Sequence, residues 1–270
     1  MSYGLLKGKK GIIFGALDEK SIAWITALRC YEEGAQIILT NAPVAMRMGE
    51  INKLAEKIGA IIIPCDVSNN EDVHNLIAQS KEYFGGNFDF ILHSVGMSLN
   101  VRKGKHYTEI DYGFNLRTLD ISSMSLHRVL AEAMKQDALN EWGSVVALTY
   151  IAAQRVFPDY NEMADAKALL ESVARSFGYH YGIKKHVRIN TVSQSPTRTT
   201  AGSGVKGFDG FIDYAEKMSP LGNASAADCA NYIVTLFSDL TRKVTMQNLF
   251  HDGGFSYTGV THAVIEQMEK

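Results

Sequence analysis

Short apolar runs alternate along this chain with longer stretches whose apolar residues recur at helical spacing. The runs are Lys10–Phe14 (KGIIF), Gln36–Thr40 (QIILT), Ala60–Cys65 (AIIIPC), Phe88–His93 (FDFILH), Trp142–Leu148 (WGSVVAL), Val187–Val192 (VRINTV) and Thr245–His251 (TMQNLFH). Each reads as a buried strand. Between them the pattern predicts helices over Ile22–Glu33, closed by Gly34, and over Met48–Ile58. Further helices are expected from the capping sequence Ser68–Glu71 to Phe84, over Thr108–Asp137 with one interruption, over Ala164–Tyr181 and over Ala226–Ser238. Strands and helices in strict alternation, without linker or repeat, predict an α/β fold. It is a single doubly wound parallel sheet of about seven strands flanked by helices, in one domain over residues 1–270.

Composition adds exclusions. Hydrophobic residues make 46 % and charged residues 21 %, an ordinary globular balance. A net charge of −2 gives no electrostatic footprint for nucleic acid or an anionic membrane. Cys30, Cys65 and Cys229 are widely spaced and odd in number, which argues for buried thiols over a disulfide framework. No apolar run approaches the roughly 18 residues of a membrane span. The opening residues lack a signal peptide's apolar core, so a cytoplasmic location is expected. The eight histidines show no ligand spacing, and no metal site is expected.

Candidate chemistry begins at the first strand. Strand, glycine turn at Gly15, helix and second strand make a βαβ unit of the Rossmann-like, dinucleotide-binding kind. Ser21 is a plausible cap for a helix whose free N–H groups would face a pyrophosphate. The full G-x-G-x-x-G pattern is absent, so the turn alone leaves coenzyme binding and an ordinary turn both open. Gly96, just past the fourth strand, would let backbone approach a ligand at the carboxyl edge of the sheet.

The stretch Leu148–Lys167 carries Tyr150, Tyr160 and Lys167. Tyr160 falls close to a helix start, and Lys167 follows seven positions later, about 700° of rotation at about 100° per residue. The two therefore share a face, where a lysine ammonium would acidify a phenol and fit it to serve a developing oxyanion. The bare Tyr-x6-Lys spacing also arises by chance. Ser193–Phe211, rich in small residues, is a candidate lid.

Taken together the motifs resemble the short-chain dehydrogenase/reductases, and within them the enoyl-[acyl-carrier-protein] reductases of bacterial fatty-acid synthesis. The pieces are Gly15 with Ser21-Ile22-Ala23, Cys65-Asp66-Val67, His93-Ser94-Val95-Gly96, Asp120-Ile121-Ser122-Ser123, Leu148-Thr149-Tyr150, Pro158-Asp159-Tyr160-Asn161 with Lys167, Pro196-Thr197-Arg198-Thr199 and Asp252-Gly253-Gly254-Phe255. Relatives that act on alcohols carry a serine where this chain has Ala147; here Tyr150 lies ten residues before Tyr160, as in the enoyl reductases.

The resemblance implies hydride transfer from a reduced nicotinamide to the β-carbon of a trans-2-enoyl thioester. Tyr160 would donate to the thioester oxygen, Lys167 would hold the nicotinamide ribose, and Tyr150 would line the acyl site. Coenzyme contacts are implied for Gly15, Ser21 and Ile22 at the pyrophosphate, and for Asp66 and Val67 at adenine. Val95 and Gly96 fall near the ribose and nicotinamide, with Thr197, Thr199 and Ala201 along the nicotinamide side. Met97 and Ser98 would present backbone to the thioester, and a substrate-covering loop is expected around residues 197–215. The end of the second strand, Thr40-Asn41-Ala42, offers neither an acidic residue for a ribose hydroxyl nor an arginine for a 2′-phosphate. NADH is expected, with NADPH open. The implied partners are acyl-carrier protein and, in a homotetramer, copies of this chain. A carbonyl or alcohol reductase and a non-catalytic dinucleotide sensor stand as the alternatives.

Overall fold

The computed structural model of the protein describes residues 2–200 and 207–269. In chain order the elements are β1 (Lys10–Phe14), α1 (Ile22–Glu32), β2 (Gln36–Thr40), α2 (Pro43–Met48), α3 (Ile51–Ile58), β3 (Ile61–Ile62), α4 (Asn70–Phe84) and β4 (Phe88–His93). Then come α5 (Leu99–Arg102), α6 (Tyr112–Leu119), α7 (Ser125–Lys135), β5 (Leu139–Thr149), α8 (Glu162–Lys185) and β6 (Arg188–Gln194). The chain continues through α9 (Phe208–Met218), α10 (Ala226–Phe237), β7 (Asn248–His251) and α11 (His262–Met268).

The strands form one sheet in the order β3-β2-β1-β4-β5-β6-β7, every pair parallel. From β1 the chain winds outward to β3, then returns to lay β4 on the other side of β1. That reversal opens a crevice at the carboxyl ends of β1 and β4, where such sheets bind ligands. Side chains alternate between two cores as the pleat requires. Ile12, Phe14, Ile91 and Val145 enter one core, beneath α4, α7 and α8. Ile13, Phe90, Leu92 and Val146 enter the other, beneath α1, α3 and α10. Burying an aliphatic side chain of this kind contributes about 1.5–3 kcal/mol, so the two cores fix which way each strand faces.

Several boundaries differ from the periodic reading, each for a local reason. The third strand is shorter because Pro64 has no N–H to give; only Ile61 and Ile62 pair with β2, although Cys65 N still donates to Asn41 O. Gly49 divides the helix expected over Met48–Ile58, and a Cβ there would fall 2.6 Å from Leu17 Cδ1. β5 starts earlier than expected, its register shifting between Phe88 and Phe90 on β4, with Trp142 at φ 62°. β7 starts later, after Met246 at φ 61°. The Thr108–Asp137 helix breaks into α6 and α7, joined through a π-helical turn over Asp120–Met124. Residues 208–215, expected within a loop, are helical in α9. Its Phe208, Phe211, Ile212 and Ala215 fall at i, i+3, i+4 and i+7, a helical signature already present in the sequence. Among the described residues no helix is long and apolar enough to cross a membrane.

Candidate active site

At the end of β1 the chain turns through Gly15 at φ 89°, and a Cβ there would lie 1.9 Å from Ser94 O. Only glycine permits the turns after β1 and β4 to meet this closely. Ser21 caps α1 as expected, its Oγ accepting from Trp24 N at 3.2 Å. The first turn of α1 carries no acidic side chain, so its positive end stays available to an anion, with Ile22 as its first residue. At the end of β2, Asn41 Nδ2 donates to Ala16 O and Oδ1 accepts from Ala42 N.

Asp66 and Val67 follow β3. Asp66 Oδ1 accepts from Ser68 Oγ at 2.6 Å and Ser68 N at 2.9 Å, and these bonds with the nearby Arg117 and Arg128 charges hold the carboxyl below its ordinary range. The side chain thus closes a turn, while the Val67 carbonyl accepts from Arg128.

Past β4, Val95 packs on the core and Gly96 is exposed. A Cβ on Gly96 would stand 3.8 Å from Lys167 Nζ, so backbone and amine line one crevice. Met97 is held on both sides by Ser122, whose Oγ accepts from Met97 N at 3.0 Å and donates to Met97 O at 3.1 Å. Ser122 reaches there from the π-helical turn, a widened turn of the kind common at functional sites. Ser98 caps α5 and donates to Glu162 Oε1 at 2.6 Å, so its hydroxyl is committed within the protein. His93, buried below these turns, meets Ser125 Oγ through Nε2 at 2.8 Å; burial and the Lys167 charge lower it to about 3, and it stays neutral.

β5 delivers Tyr150, whose ring packs 5.3 Å from Tyr160, 5.4 Å from Phe157 and 6.0 Å from Phe211 of α9. The Tyr150 hydroxyl is buried and has no hydrogen-bond partner among the described residues. Tyr160 stands between Asp159 at φ 46° and Asn161 at φ 47°. Asp and Asn adopt a positive φ more readily than most side-chain-bearing residues, although Asn161, at ψ −140°, lies outside the left-handed helical basin. Asn161 Nδ2 donates to Lys105 O, which pins the turn before α8. Lys167, one face down the helix, is buried and donates to Leu148 O at 2.8 Å.

The expectation that the ammonium acidifies the phenol is corrected. Burial raises Tyr160, and raises Tyr150 further with help from Tyr160 and Asp252, so both phenols remain protonated donors. Lys167 is the group moved toward neutrality, lowered to about 8 by burial against the pull of Glu171.

After β6, Thr197 Oγ1 donates to Ser195 O at 2.9 Å and Thr199 N to Thr197 O at 2.7 Å. Thr200 then donates to Asp18 in the β1–α1 turn, closing that side of the crevice. Ala201 lies outside the described residues. The fold therefore gathers Gly15, Ser21, Val95, Gly96, Thr197, Tyr150, Tyr160 and Lys167 along one carboxyl edge. A glycine cradle, an open helix N-terminus and a buried amine beside exposed backbone fit a dinucleotide. Sequence reasoning named Ser122 only as part of a matching motif, without its bonds to Met97, and missed Phe157, Phe211, Glu162 and Glu171; only the α9 periodicity offered a signal, for Phe211. Among the described residues no cluster of His, Cys, Asp and Glu is placed to hold a metal.

Comparison with known proteins gives consistent results. The family model described as enoyl-(acyl carrier protein) reductase matches residues 15–256. An NADH-dependent enoyl-[acyl-carrier-protein] reductase of Rickettsia bellii is 35 % identical, with 96 % of this chain and 98 % of that protein aligned. The crystal structure of the FabI–NADH complex of Alistipes finegoldii superposes with a TM-score of 0.96 at 64 % identity, over 97 % of this chain and 92 % of that one. A second FabI structure from Alistipes finegoldii gives 0.93 at 59 %, over 99 % and 98 %.

Proposed function

Because this chain belongs to the enoyl-(acyl carrier protein) reductase family, we propose that it reduces the double bond of a trans-2-enoyl thioester borne by acyl-carrier protein, with NADH as its coenzyme. The reduced nicotinamide supplies hydride to the β-carbon, and electron density moves to the thioester oxygen. Tyr160 donates its hydrogen bond to that oxygen, where charge develops as the reaction proceeds; a donor fixed in advance stabilises the transition state more than the substrate. Burial helps, because a phenol that keeps its proton is a donor throughout. Lys167 holds the nicotinamide ribose with donors that Leu148 O leaves spare.

Tyr150 lines the acyl site, and its hydroxyl is the observation that carries the reading. A buried hydroxyl without a protein partner is costly unless a ligand satisfies it. Met97 and Ser98 present backbone to the thioester. Gly15, Ser21 and Ile22 serve the pyrophosphate, Asp66 and Val67 the adenine, and Val95, Gly96, Thr197, Thr199 and Ala201 the ribose and nicotinamide. The β2 end, with Asn41 bonded inward and no arginine, supports NADH. One catalytic domain covered by the segment around 197–215, working as a cytoplasmic homotetramer, completes the proposal. Exposed Tyr112, Leu116, Tyr179 and Ile183 on α6 and α8 support self-association.

The test is NADH oxidation followed by absorbance with a crotonyl thioester. The wild-type chain turns over, and Tyr160→Phe loses about 10²-fold or more in kcat/KM. No oxidation of NADH or NADPH by a chain that binds coenzyme would sink the reading.

A further inference from the structure

Glu171 is buried on α8, four residues after Lys167 and so on the same helix face. The pair grips consecutive residues at the end of β5: Lys167 Nζ donates to Leu148 O, and Glu171 Oε1 accepts from Thr149 Oγ1 at 2.9 Å. Tyr150 comes next in the chain, then the short helical turn Ile151–Ala153. Immediately after that turn, Gln154 Nε2 donates back to the second oxygen of the same carboxylate, Oε2, at 3.2 Å. One carboxylate thus anchors side chains on both sides of Tyr150, and through them the chain that carries it. A third donor, Asn248 Nδ2 of β7, reaches Oε1 at 3.2 Å.

Among the described residues no cation lies within ion-pair distance of Glu171. A carboxylate buried among neutral donors costs more than an aliphatic side chain in the same space. The burial is spent beside the ring whose hydroxyl lacks a protein partner. The ring itself packs among Phe157, Tyr160 and Phe211, and its position along that packing follows the chain that carries it.

We propose that Glu171 is a positioning residue of this reductase, acting through Thr149 and Gln154 to set how far the Tyr150 hydroxyl reaches toward the substrate oxygen. The inference rests on the role given to Tyr150 above.

A double-mutant cycle on the full chain tests it, with kcat and KM for crotonyl thioester measured separately from NADH affinity by fluorescence. The measurements are made well below the pH at which Lys167 loses its proton, since Glu171 helps hold that proton. Glu171→Leu lowers kcat/KM about tenfold or more while NADH affinity stays within about twofold, and Glu171→Gln recovers most of the loss because its amide can pair with a flipped Gln154. Combined with Tyr150→Phe, the Glu171→Leu loss shrinks to about twofold or less, since the hydroxyl it positions is gone. Thr149→Val is isosteric and gives a smaller loss with the same dependence on Tyr150; it decides the matter alone if the leucine variant does not fold. Glu171→Leu and Thr149→Val both within about twofold of wild type, or losses that multiply with Tyr150→Phe, overturn the inference and leave the reductase reading intact. If the wild-type chain is active and Tyr150→Phe loses nothing, the role of Tyr150 falls and this inference with it. An inert wild-type chain overturns the reductase reading itself, and the inference falls too.

Discussion

Two buried cations stand at opposite ends of the sheet. Arg188 opens β6 at the amino edge, and its terminal nitrogens make four hydrogen bonds, to Leu236 O, Thr241 O, Thr241 Oγ1 and Ser238 O. These acceptors finish α10 and the turn after it, where a cation also suits the helix dipole. Lys167 sits at the carboxyl edge with one acceptor, Leu148 O, among the described residues. A guanidinium keeps its charge under any folding condition, whereas a buried amine adjusts its proton to its surroundings. At one pole the cation's terminal nitrogens tie chain ends together, although its Nε is buried without a partner among the described residues. At the other it keeps donors in reserve, and the hydroxyl of Tyr150, just past the end of the strand that supplies Leu148 O, has no partner among the described residues. The contrast is between a cation whose terminal nitrogens are spent inside the protein and one with donors left for a ligand.

Three changes probe that contrast, in order of falling effect. Lys167→Met lowers kcat/KM by about 10²–10³-fold, while the melting temperature holds or rises because a partly satisfied amine has left the interior. Arg188→Ala does the reverse. It orphans several carbonyls and costs about 3–5 kcal/mol of stability, read as a lower denaturation midpoint, with kcat per folded molecule unchanged. A catalytic defect in Arg188→Ala at full stability would break the comparison.

The third is pH dependence. Burial lowers Lys167 to about 8, below the roughly 10.4 of an unfolded chain. Between those values the unfolded state binds more protons, so the cost of burying this lysine is full below pH 8 and is relieved as pH rises. NADH affinity moves the other way and weakens above about pH 8 as the ammonium is lost. Both trends vanish in Lys167→Met, checked by the pH dependence of melting and of NADH fluorescence titration.

Much of this was legible in the chain. Apolar runs located every strand because burial on both faces leaves an unmistakable record, as in Phe88–His93. That Tyr150 and Tyr160 meet, with Lys167 two turns along the helix that follows, was legible because their spacing is local. Strand ends failed where one residue acted alone, as at Pro64 and Met246. Glu162 and Glu171 were illegible for a deeper reason. Both look like ordinary polar positions on a long helix, and nothing local says that they are buried or that Ser98, Thr118, Thr149 and Gln154 come to meet them. The acidified phenol failed in the same way, since proximity in sequence does not say which acceptor an amine chooses.

The positive-φ residues on either side of Tyr160 bear on how this protein could be re-engineered. Asp159 and Asn161 hold conformations that cost other side chains on the order of 1–3 kcal/mol. A random library across that turn would therefore return mostly Asn, Asp and Gly, whatever substrate it was screened on. Phe157 and Phe211 meet each other edge to face at 5.0 Å and touch Tyr150 from outside the turn. Diversity placed at those two positions changes what packs against Tyr150 and leaves the turn around Tyr160 as it is.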